Sequence, residues 1–304
     1  MTKLVLSIAD ISFAINREYP LESLAAPLSK IFFGYISKSD KAEHFLTLSY
    51  DHMKTYPGLK TIPIKLNENK YPEIICSINR IYPLSNDSIV VGFQNGCLAY
   101  NRLSRTGHIL FFRTQKSHFI MGTLHKLLFI FIAMILAENK KFMMHGAGIE
   151  GKRGGYLFLG ESGAGKTTVA GFADDREVLS DDATIVGNEY GHFSMYPSPF
   201  GQINLFTLKN ENHHEKRVLL KRVFFLKKNE ESSLTLKDKR YAFAEIMTQH
   251  IHSFEFMGKD ERCVAFHFFH DFCDYIPVYV LNFQKNNQFW NDIEKSEIST
   301  AQQL

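Results

Sequence analysis

One eight-residue stretch restricts the fold of this chain more than any other feature: residues 160–167 read GESGAGKT. The stretch fully matches the pattern G-x-x-x-x-G-K-[ST], and average residue frequencies make a chance match in a chain of this length about a one-in-a-hundred event. A strand-like run, YLFLG, leads into it, and a helix-like run, TTVAGFA, follows it. Such a strand–loop–helix unit predicts an α/β fold with a phosphate-binding loop.

The residue types of this stretch suit phosphate. Glycines let the backbone curl and present its N–H groups, and the helix predicted to begin near Lys166 adds its positive end. Lys166 supplies a charge for the β- and γ-phosphates, and Thr167 supplies a hydroxyl for Mg²⁺. A glycine-rich turn without a ligand is the alternative. The predicted nucleotide-binding residues are Gly160, Glu161, Ser162, Gly163, Ala164, Gly165, Lys166, Thr167 and Thr168.

Two further polar features lie on either side of the loop in the sequence. Asp181 and Asp182 follow a strand-like run, EVLS, about 15 residues after Lys166. One carboxylate of such a pair can hold Mg²⁺ while the other accepts a proton from a hydroxyl. His145 is predicted at the end of a strand, where it can hydrogen-bond a phosphate or an acceptor. The plainer interpretations are a solvated acidic turn and a packed structural histidine.

Taken together, HGAGIEG, GYLFLGESGAGKTT and VLSDDATIV resemble the catalytic core of the HPr kinase/phosphorylase family. That family shows a His-Gly strand, a P-loop and a downstream Asp-Asp pair in this order, and it shares its fold with phosphoenolpyruvate carboxykinases. The chain is most similar to the broad group of HPr kinase-like proteins, some of which accompany peptide-modifying gene clusters. The resemblance covers residues 118–283 and is specific at 142–186.

The resemblance implies roles for individual residues. Lys166 and the loop backbone would hold the phosphates of ATP, and Thr167 would bind Mg²⁺. Asp182 would be the catalytic base that deprotonates an acceptor serine, and Asp181 would lie on the metal side. His145 would be the active-site histidine. In phosphoryl transfer the protein mainly positions groups and neutralises charge, which suits this set of residues.

Two family signatures are missing from the chain. Downstream of the Asp pair, HPr kinases carry a Glu-Ile-Arg-Gly signature, whereas this chain reads YPSPFG from Tyr196. The C-terminal signature linked to phosphorolysis is not evident either. We therefore expect neither phosphorolysis nor HPr as substrate, and fewer protein ligands on the metal. Arg217, Lys221 and Arg222 come next, and they either meet an acidic acceptor or form a solvated strand face.

The chain changes character near residue 117. Before it, short runs rich in β-branched and aromatic residues, with turn signals such as Asn95-Gly96, predict a β-rich region. Ser117 to Lys140 reads as one long helix. Its apolar run Leu127–Ala137 has eleven residues. Because about 20 are needed to span a bilayer, we expect a buried helix.

After that helix, alternating strand-like and helix-like runs predict an α/β core with some α+β character. We predict a β-rich accessory or substrate-recognition region at 1–117, and the resemblance implies an HPr kinase-like P-loop kinase core at 118–304. The other predicted elements are helices at 241–258 and 260–275, a strand at Val278–Phe283, and a tail after Ile293 that frays.

Composition narrows the class of partner and the compartment. The chain has 35 Lys and Arg against 32 Asp and Glu, a net charge of +3 that is too balanced for a nucleic-acid-binding surface. Four cysteines are too few for a disulfide framework. The N-terminus lacks the apolar segment and cleavage site of a signal peptide. We expect a cytoplasmic protein with no nucleic-acid or membrane partner, and the resemblance leaves a homo-oligomer open.

The series Cys263, His267, His270 and Cys273 has the residue types of a metal site. Four ligands on one helix would not easily surround a tetrahedral ion, and structural zinc sites usually draw their ligands from turns. Because the helix is also rich in phenylalanine, packing is the favoured interpretation.

The predicted function is transfer of the γ-phosphate of ATP, with Mg²⁺, to a hydroxyl, and the favoured acceptor is a Ser or Thr of a peptide or small protein. Two alternatives stay open. One is a recognition or scaffold protein that binds nucleotide without turnover. The other is a kinase of a small hydroxy compound such as free serine.

Overall fold

The course of the chain is known from a computed structural model, which describes residues 2–18, 21–50, 80–85, 87–93, 96–111, 117–201 and 215–301. The protein is mixed α/β, as the sequence predicts, and it contains two mixed sheets. It divides into two units, Met1–Ile135 and Leu136–Leu304. Residue 117, the boundary predicted from the sequence, is the first residue of the helix in which this division falls.

The first unit is built on a seven-stranded sheet. Its strands are β1 (Thr2–Ile8), β2 (Ile11–Arg17), β3 (His44–Tyr50), β4 (Arg80–Ser85), β5 (Ser88–Phe93), β6 (Gly96–Asn101) and β7 (Thr106–Phe111). They lie in the order β1-β2-β3-β7-β6-β5-β4. A short helix, α1 (Ala25–Ile31), lies between β2 and β3. β5 and β6 form the predicted hairpin, with Phe93 opposite Gly96. Residues 94 and 95 lie outside the described residues.

The long apolar helix α2 (Ser117–Glu138) follows, as predicted. Within the first unit, its Phe131 packs edge-on against Tyr100 of β6, with ring centroids 5.4 Å apart. By length and composition alone, residues Ile120–Glu138 are long and apolar enough to cross a bilayer, because the helix extends beyond the eleven-residue apolar run. In the structure, 72% of the apolar window is buried, which is also typical of the core helix of a soluble protein.

The second unit carries a sheet of eight strands. They are β8 (Lys141–Gly151), β9 (Gly154–Leu159), β10 (Glu177–Ser180), β11 (Ala183–Glu189), β12 (His192–Tyr196), β13 (Val218–Lys228), β14 (Ser233–Leu236) and β15 (Val278–Phe283). Four helices accompany them: α3 (Lys166–Gly171), α4 (Lys239–Glu245), α5 (Lys259–Tyr275) and α6 (Phe289–Ala301). The predicted strand–loop–helix unit around residues 160–167 is therefore present, as β9, a loop and α3.

The strand pairings of this sheet close on themselves. β8 pairs with β11, β11 with β12, β12 with β13, β13 with β9, and β9 again with β8. β13 is parallel to both β9 and β15, so the carboxyl ends of these three strands lie at one edge. The other pairings are antiparallel. The loop that follows β9 therefore opens at the edge where parallel α/β sheets commonly bind ligands.

Successive residues of β9 and β13 point to opposite faces of the sheet, and each face has its own core. On one face, Leu157 and Phe225 pack with residues of α5 such as Phe269. On the other, Phe158 and Phe224 pack with α3 and α6. This alternation explains the near-continuous apolar runs YLFL and VFFL, because a strand covered on both faces needs no polar side. Many of the phenylalanines in the sequence belong to these two cores.

Two predicted elements differ in the structure. The helix predicted at 241–258 ends at Glu245 and continues only as a π-helical turn, Ile246–His250. There the chain leaves the helix because Ile251 forms an antiparallel bridge with Met144 of β8. The tail predicted to fray is helical to Ala301. The bridge at Ile251 joins residues distant in sequence, and the last helix also contacts distant residues, through Glu294 with Arg176 and Ser296 with Arg222.

The contacts of Trp290 in α6 should contribute measurably to the free energy of unfolding. The Trp290 ring lies 5.6 Å from Phe158, the Arg176 guanidinium lies 4.1 Å above it, and its Nε1 donates to the Phe172 carbonyl at 2.6 Å. Trp290→Ala should therefore cost about 3–5 kcal/mol in the free energy of unfolding, measured by denaturant titration. Asn291→Ala, exposed on the same helix, should change it by less than about 0.5 kcal/mol. Equal effects of the two changes would contradict the packing described.

Candidate functional site

The loop between β9 and α3 has the conformation that its glycines predict. Gly163 and Gly165 have φ angles of +82° and +116°, in the left-handed region that favours glycine. Gly165 also has no room for a side chain, since a Cβ there would lie 2.6 Å from Cζ of Phe283. The Ala164 amide donates to the Glu161 carbonyl at 3.0 Å. The loop is therefore a tight turn held against β15.

Lys166 points back into this loop. Its Nζ donates to the carbonyl oxygens of Gly160 at 2.9 Å and Glu161 at 3.2 Å, and the residue is buried. Burial lowers the pKa of Lys166, while the negative charge of Asp182 raises it in partial compensation. The charges of Lys166 and Asp182 therefore act on each other, although the residues are far apart in sequence.

Several backbone amides of the loop are available to a ligand. Within the described part of the chain, the amides of Ser162, Gly163 and Gly165 donate to no protein acceptor. Glu161, Ser162 and Gly163 are exposed, as is Thr167 at the start of α3, whereas Thr168 is half-buried. Consecutive N–H groups in a glycine-rich turn form the concave arrangement in which proteins bind phosphate oxygens.

His145 and Asp182 meet beside this loop. His145 Nε2 donates to Asp182 Oδ1 at 3.1 Å, and the Asp182 side chain is about half exposed. Among the described residues, His145 is the only side chain that hydrogen-bonds this carboxylate. That hydrogen bond is the largest cause of a lowered pKa for Asp182, and the charges of His145, His252 and Lys166 act in the same direction. Asp182 is therefore ionised at neutral pH.

The register of β8 brings these groups together. The sequence predicts His145 at the end of a strand, but it lies inside the eleven-residue strand β8. On one side of β8, Gly146 pairs with Leu159, the last residue before the loop. On the other side, His145 and Gly146 both face Ala183, which makes an irregularity directly after Asp182. Such bulges redirect side chains near functional sites.

The Asp181-Asp182 turn is also stabilised by hydrogen bonds of Ser180 and by packing against the YPSPFG segment. Ser180 Oγ accepts from the Ala183 amide at 3.0 Å and donates to the Phe200 carbonyl at 3.1 Å. Asp181 is buried, and a Cβ at Gly201 would lie 2.5 Å from its Oδ1. The YPSPFG segment therefore packs behind the turn. The two aspartates differ in environment, since Asp181 faces the protein and Asp182 is open to solvent.

Two histidines of this site were not predicted from the sequence. His252 Nε2 lies 3.2 Å from the Asp182 carbonyl oxygen, and its ring centroid lies 5.0 Å from that of His145. His250 is fully buried, 5.3 Å from the Phe225 ring and with its Nε2 3.9 Å from Glu245 Oε1. Both lie in the segment predicted to be helical, where the sequence contains no signal for the bridge to β8.

Other candidate residues of the sequence lie elsewhere in the second unit. Arg222 is buried and donates to Ser296 Oγ at 2.5 Å, Arg217 pairs with Glu189, and Lys221 is exposed. The three therefore do not form one solvated face. In the described part of the chain, no group of three or more His, Cys, Asp or Glu side chains is arranged to hold a metal ion. The sequence also contains two adjacent histidines, His213 and His214, which lie outside the described residues.

The hydrogen bond between His145 and Asp182 predicts a change in titration. His145→Ala removes both the donor and the charge, so the pKa of Asp182 should rise towards its ordinary value. His145→Gln keeps a donor without a charge, and should give a smaller rise. Carboxyl carbon NMR of protein labelled at aspartate measures both. An Asp182 pKa that is the same in wild type and His145→Ala would contradict the contact.

Buried His250 predicts a dependence of stability on pH. Burial lowers its pKa from 6.5 to about 4, so between these pH values the unfolded chain binds a proton that the folded chain does not. Its contribution to stability is complete above pH 6.5, and is lost as the pH falls to about 4. By linkage, that loss is about 3 kcal/mol. In His250→Leu, the free energy of unfolding should fall less steeply between these pH values, and an unchanged slope would contradict the assignment.

A second buried histidine offers a comparison within the same chain. His44 of the first unit also has a pKa lowered to about 4 by burial, and it accepts or donates a 3.3 Å hydrogen bond with the Tyr100 hydroxyl. His44→Leu should flatten the same pH interval. The double variant should flatten this interval more than either single variant, because each substitution removes its own protonation step, and a double variant no flatter than the single ones would contradict the assignment.

Comparison with known proteins identifies a family that includes this site. No curated protein matches the chain. A family model described as SynChlorMet cassette protein ScmC matches residues 112–298, which is more than half of the chain. The match includes β8, the loop, the Asp181-Asp182 turn and the segment that carries His252. The chain therefore belongs to the ScmC family of SynChlorMet cassette proteins.

Proposed function

We propose that this protein is a kinase that transfers the γ-phosphate of ATP to a hydroxyl group. The observation that carries the proposal is the register of β8, which puts a glycine-rich loop with a buried lysine on one side and an ionised, half-exposed aspartate on the other. A phosphate donor and a proton acceptor are the two parts that phosphoryl transfer to a hydroxyl requires. The resemblance to HPr kinase-like proteins supports the same assignment.

In this proposal, the loop after β9 binds the phosphates of the nucleotide. Three amides that donate to no acceptor among the described residues, together with Lys166, offer donors for phosphate oxygens. Lys166 Nζ has three donors and is bound by two carbonyls of its own loop, so it can turn towards a phosphate without leaving its place. The proposed nucleotide site is Gly160 to Thr168, in which the backbone and Lys166 bind the phosphates and Thr167 binds Mg²⁺.

In this proposal, Asp182 is the base that accepts the proton of the acceptor hydroxyl. Its Oδ1 is bound by His145, which leaves Oδ2 for a hydroxyl proton, and the carboxylate is ionised at neutral pH. In the proposed step, the acceptor oxygen attacks the γ-phosphorus in line while Asp182 Oδ2 accepts its proton. The bond between the γ-phosphorus and the β–γ bridging oxygen breaks, and ADP leaves with those electrons. Lys166 offsets the charge that develops on the phosphate oxygens.

Two residues of the described part of the chain are candidate ligands for Mg²⁺, Thr167 and Asp181. Thr167 is exposed at the start of α3, and its hydroxyl fits the metal that accompanies a nucleotide. Asp181 is a second candidate ligand, but its burial against Gly201 makes it harder to reach. Mg²⁺ often keeps water and substrate phosphates as most of its ligands, so one hydroxyl is compatible with binding. When bound, the ion would neutralise phosphate charge.

We propose a Ser or Thr of a peptide or small protein as the acceptor, and the first unit as its recognition region. The family description calls its members cassette proteins, which is compatible with an acceptor encoded alongside the kinase. The cytoplasm is the proposed compartment. Transfer to free serine, and nucleotide binding without turnover, are the competing functions.

Two substitutions test the proposal. With labelled ATP, Mg²⁺ and candidate peptides, Asp182→Asn should lower transfer at least about 100-fold because the base is lost, while nucleotide affinity stays near that of wild type. Lys166→Ala should lower both transfer and nucleotide affinity. Asp175→Asn and Lys152→Ala, exposed residues of the same types, are matched controls that should retain activity.

The outcomes separate the candidate functions. Label in a peptide supports the proposal, and label in free serine without any peptide supports the small-molecule kinase. Tight nucleotide binding with no transfer to any acceptor supports the recognition protein. Full transfer by Asp182→Asn would show that the assigned base is wrong.

A further inference from the structure

His252 reaches the site on a segment that is attached to β8 by backbone contacts. Ile251 forms an antiparallel bridge with Met144, and the His252 amide donates to the Met143 carbonyl at 2.8 Å. These contacts lie within two residues of His145. The segment therefore has a fixed register against the same strand that carries His145, and His252 is not on a freely moving loop.

The His252 ring is directed at the main chain of Asp182. Its Nε2 lies 3.2 Å from the Asp182 carbonyl oxygen, which also accepts from the Gly146 amide at 3.1 Å. A carbonyl oxygen only accepts hydrogen bonds, so His252 Nε2 must be the donor in this contact. The proton of neutral His252 is therefore on Nε2, and both lone pairs of the carbonyl are used.

Three donors thus hold Asp182 from two segments. The Gly146 amide and His252 Nε2 hold its carbonyl oxygen, and His145 Nε2 holds Oδ1 of its carboxylate. The rings of His145 and His252 are 5.0 Å apart and tilted by 48°, so each limits the movement of the other. The direction of the Asp182 side chain depends on its backbone, and the backbone depends in part on His252.

We propose that His252 is a positioning residue for the phosphoryl transfer assigned above. It holds the main chain of Asp182, so that the carboxylate stays at the reacting hydroxyl, without itself taking the proton. The inference rests on the proposed function for its catalytic consequence. Its structural part, the hydrogen bond to the Asp182 carbonyl, is tested separately. A purely packed histidine, which would influence folding but not the turn, is the alternative.

Two substitutions of His252 separate the loss of its hydrogen-bond donor from the loss of its volume. In glutamine the side-chain amide nitrogen occupies nearly the same place as histidine Nε2, so His252→Gln keeps the donor, and His252→Leu removes it while keeping most of the volume. Misplacement of a catalytic group by about 1 Å can cost about 100-fold in rate. We therefore expect kcat to fall about 10- to 100-fold in His252→Leu, and at most a few-fold in His252→Gln. KM for ATP should change little in either variant.

The structural readouts do not require activity. In the full-length protein labelled with ¹⁵N at histidine, His252 should show the tautomer with the proton on Nε2. Hydrogen exchange should be faster at the Gly146 amide in His252→Leu, and should return close to the wild-type rate in His252→Gln. The Phe225 amide in the centre of β13 is the control for global stability, since a general loss of folding would accelerate both amides.

The results separate the structural part of the inference, the hydrogen bond from His252 to the Asp182 carbonyl, from its effect on catalysis. A His252 proton on Nδ1, or Gly146 exchange unchanged in His252→Leu, would overturn the inference whatever the protein does with ATP. The inference is also overturned if wild type transfers phosphate and His252→Leu keeps its kcat. If the structural readouts are as expected but wild type transfers no phosphate to any acceptor, then the proposed function has failed, and with it the catalytic part of the inference. The expected tautomer, the exchange pattern and rescue of kcat by glutamine together support it.

Discussion

The site depends on one constraint, the double pairing of Gly146 in the centre of β8. Leu159 on one side and Ala183 on the other are both registered against this position, so the start of the glycine-rich loop and the end of the Asp181-Asp182 turn lie at the same level of the sheet. The irregularity at Ala183 interrupts the strand that would otherwise run from Glu177 to Glu189. That interruption frees Asp182 to meet His145.

The surrounding structure maintains this arrangement from both faces of the sheet. Aromatic side chains of β9 and β13 pack alternately on α5 and on α3 with α6, so the strands that carry the site are covered on both sides. Burial of Lys166 and His250 has an electrostatic cost that lowers the pKa of each, and the charges of Asp182 and Glu245 partly offset it. The site therefore combines a rigid apolar support with ionisable groups whose charges are coupled.

Local sequence patterns predicted the parts of this site, and distant contacts determined their assembly. The GESGAGKT stretch between two apolar runs was enough to predict β9, the loop and α3, because glycine spacing and strand propensity act within a few residues. The place of His145 within β8 was not predictable in this way, since it depends on which strands pair. His252 was missed for the same reason, because its bridge to Met144 joins residues more than 100 positions apart. The roles of these residues in phosphoryl transfer remain predictions.

A crystal structure of the protein with Mg²⁺ and a non-hydrolysable ATP analogue would test directly whether the loop at 160–167 and Asp182 act on the same phosphate. We expect the triphosphate to lie along residues 160–167, with γ-phosphate oxygens at hydrogen-bond distance from Lys166 Nζ and with Asp182 on the open side of the γ-phosphorus. A nucleotide bound away from this loop, or a γ-phosphate turned away from Asp182, would contradict it.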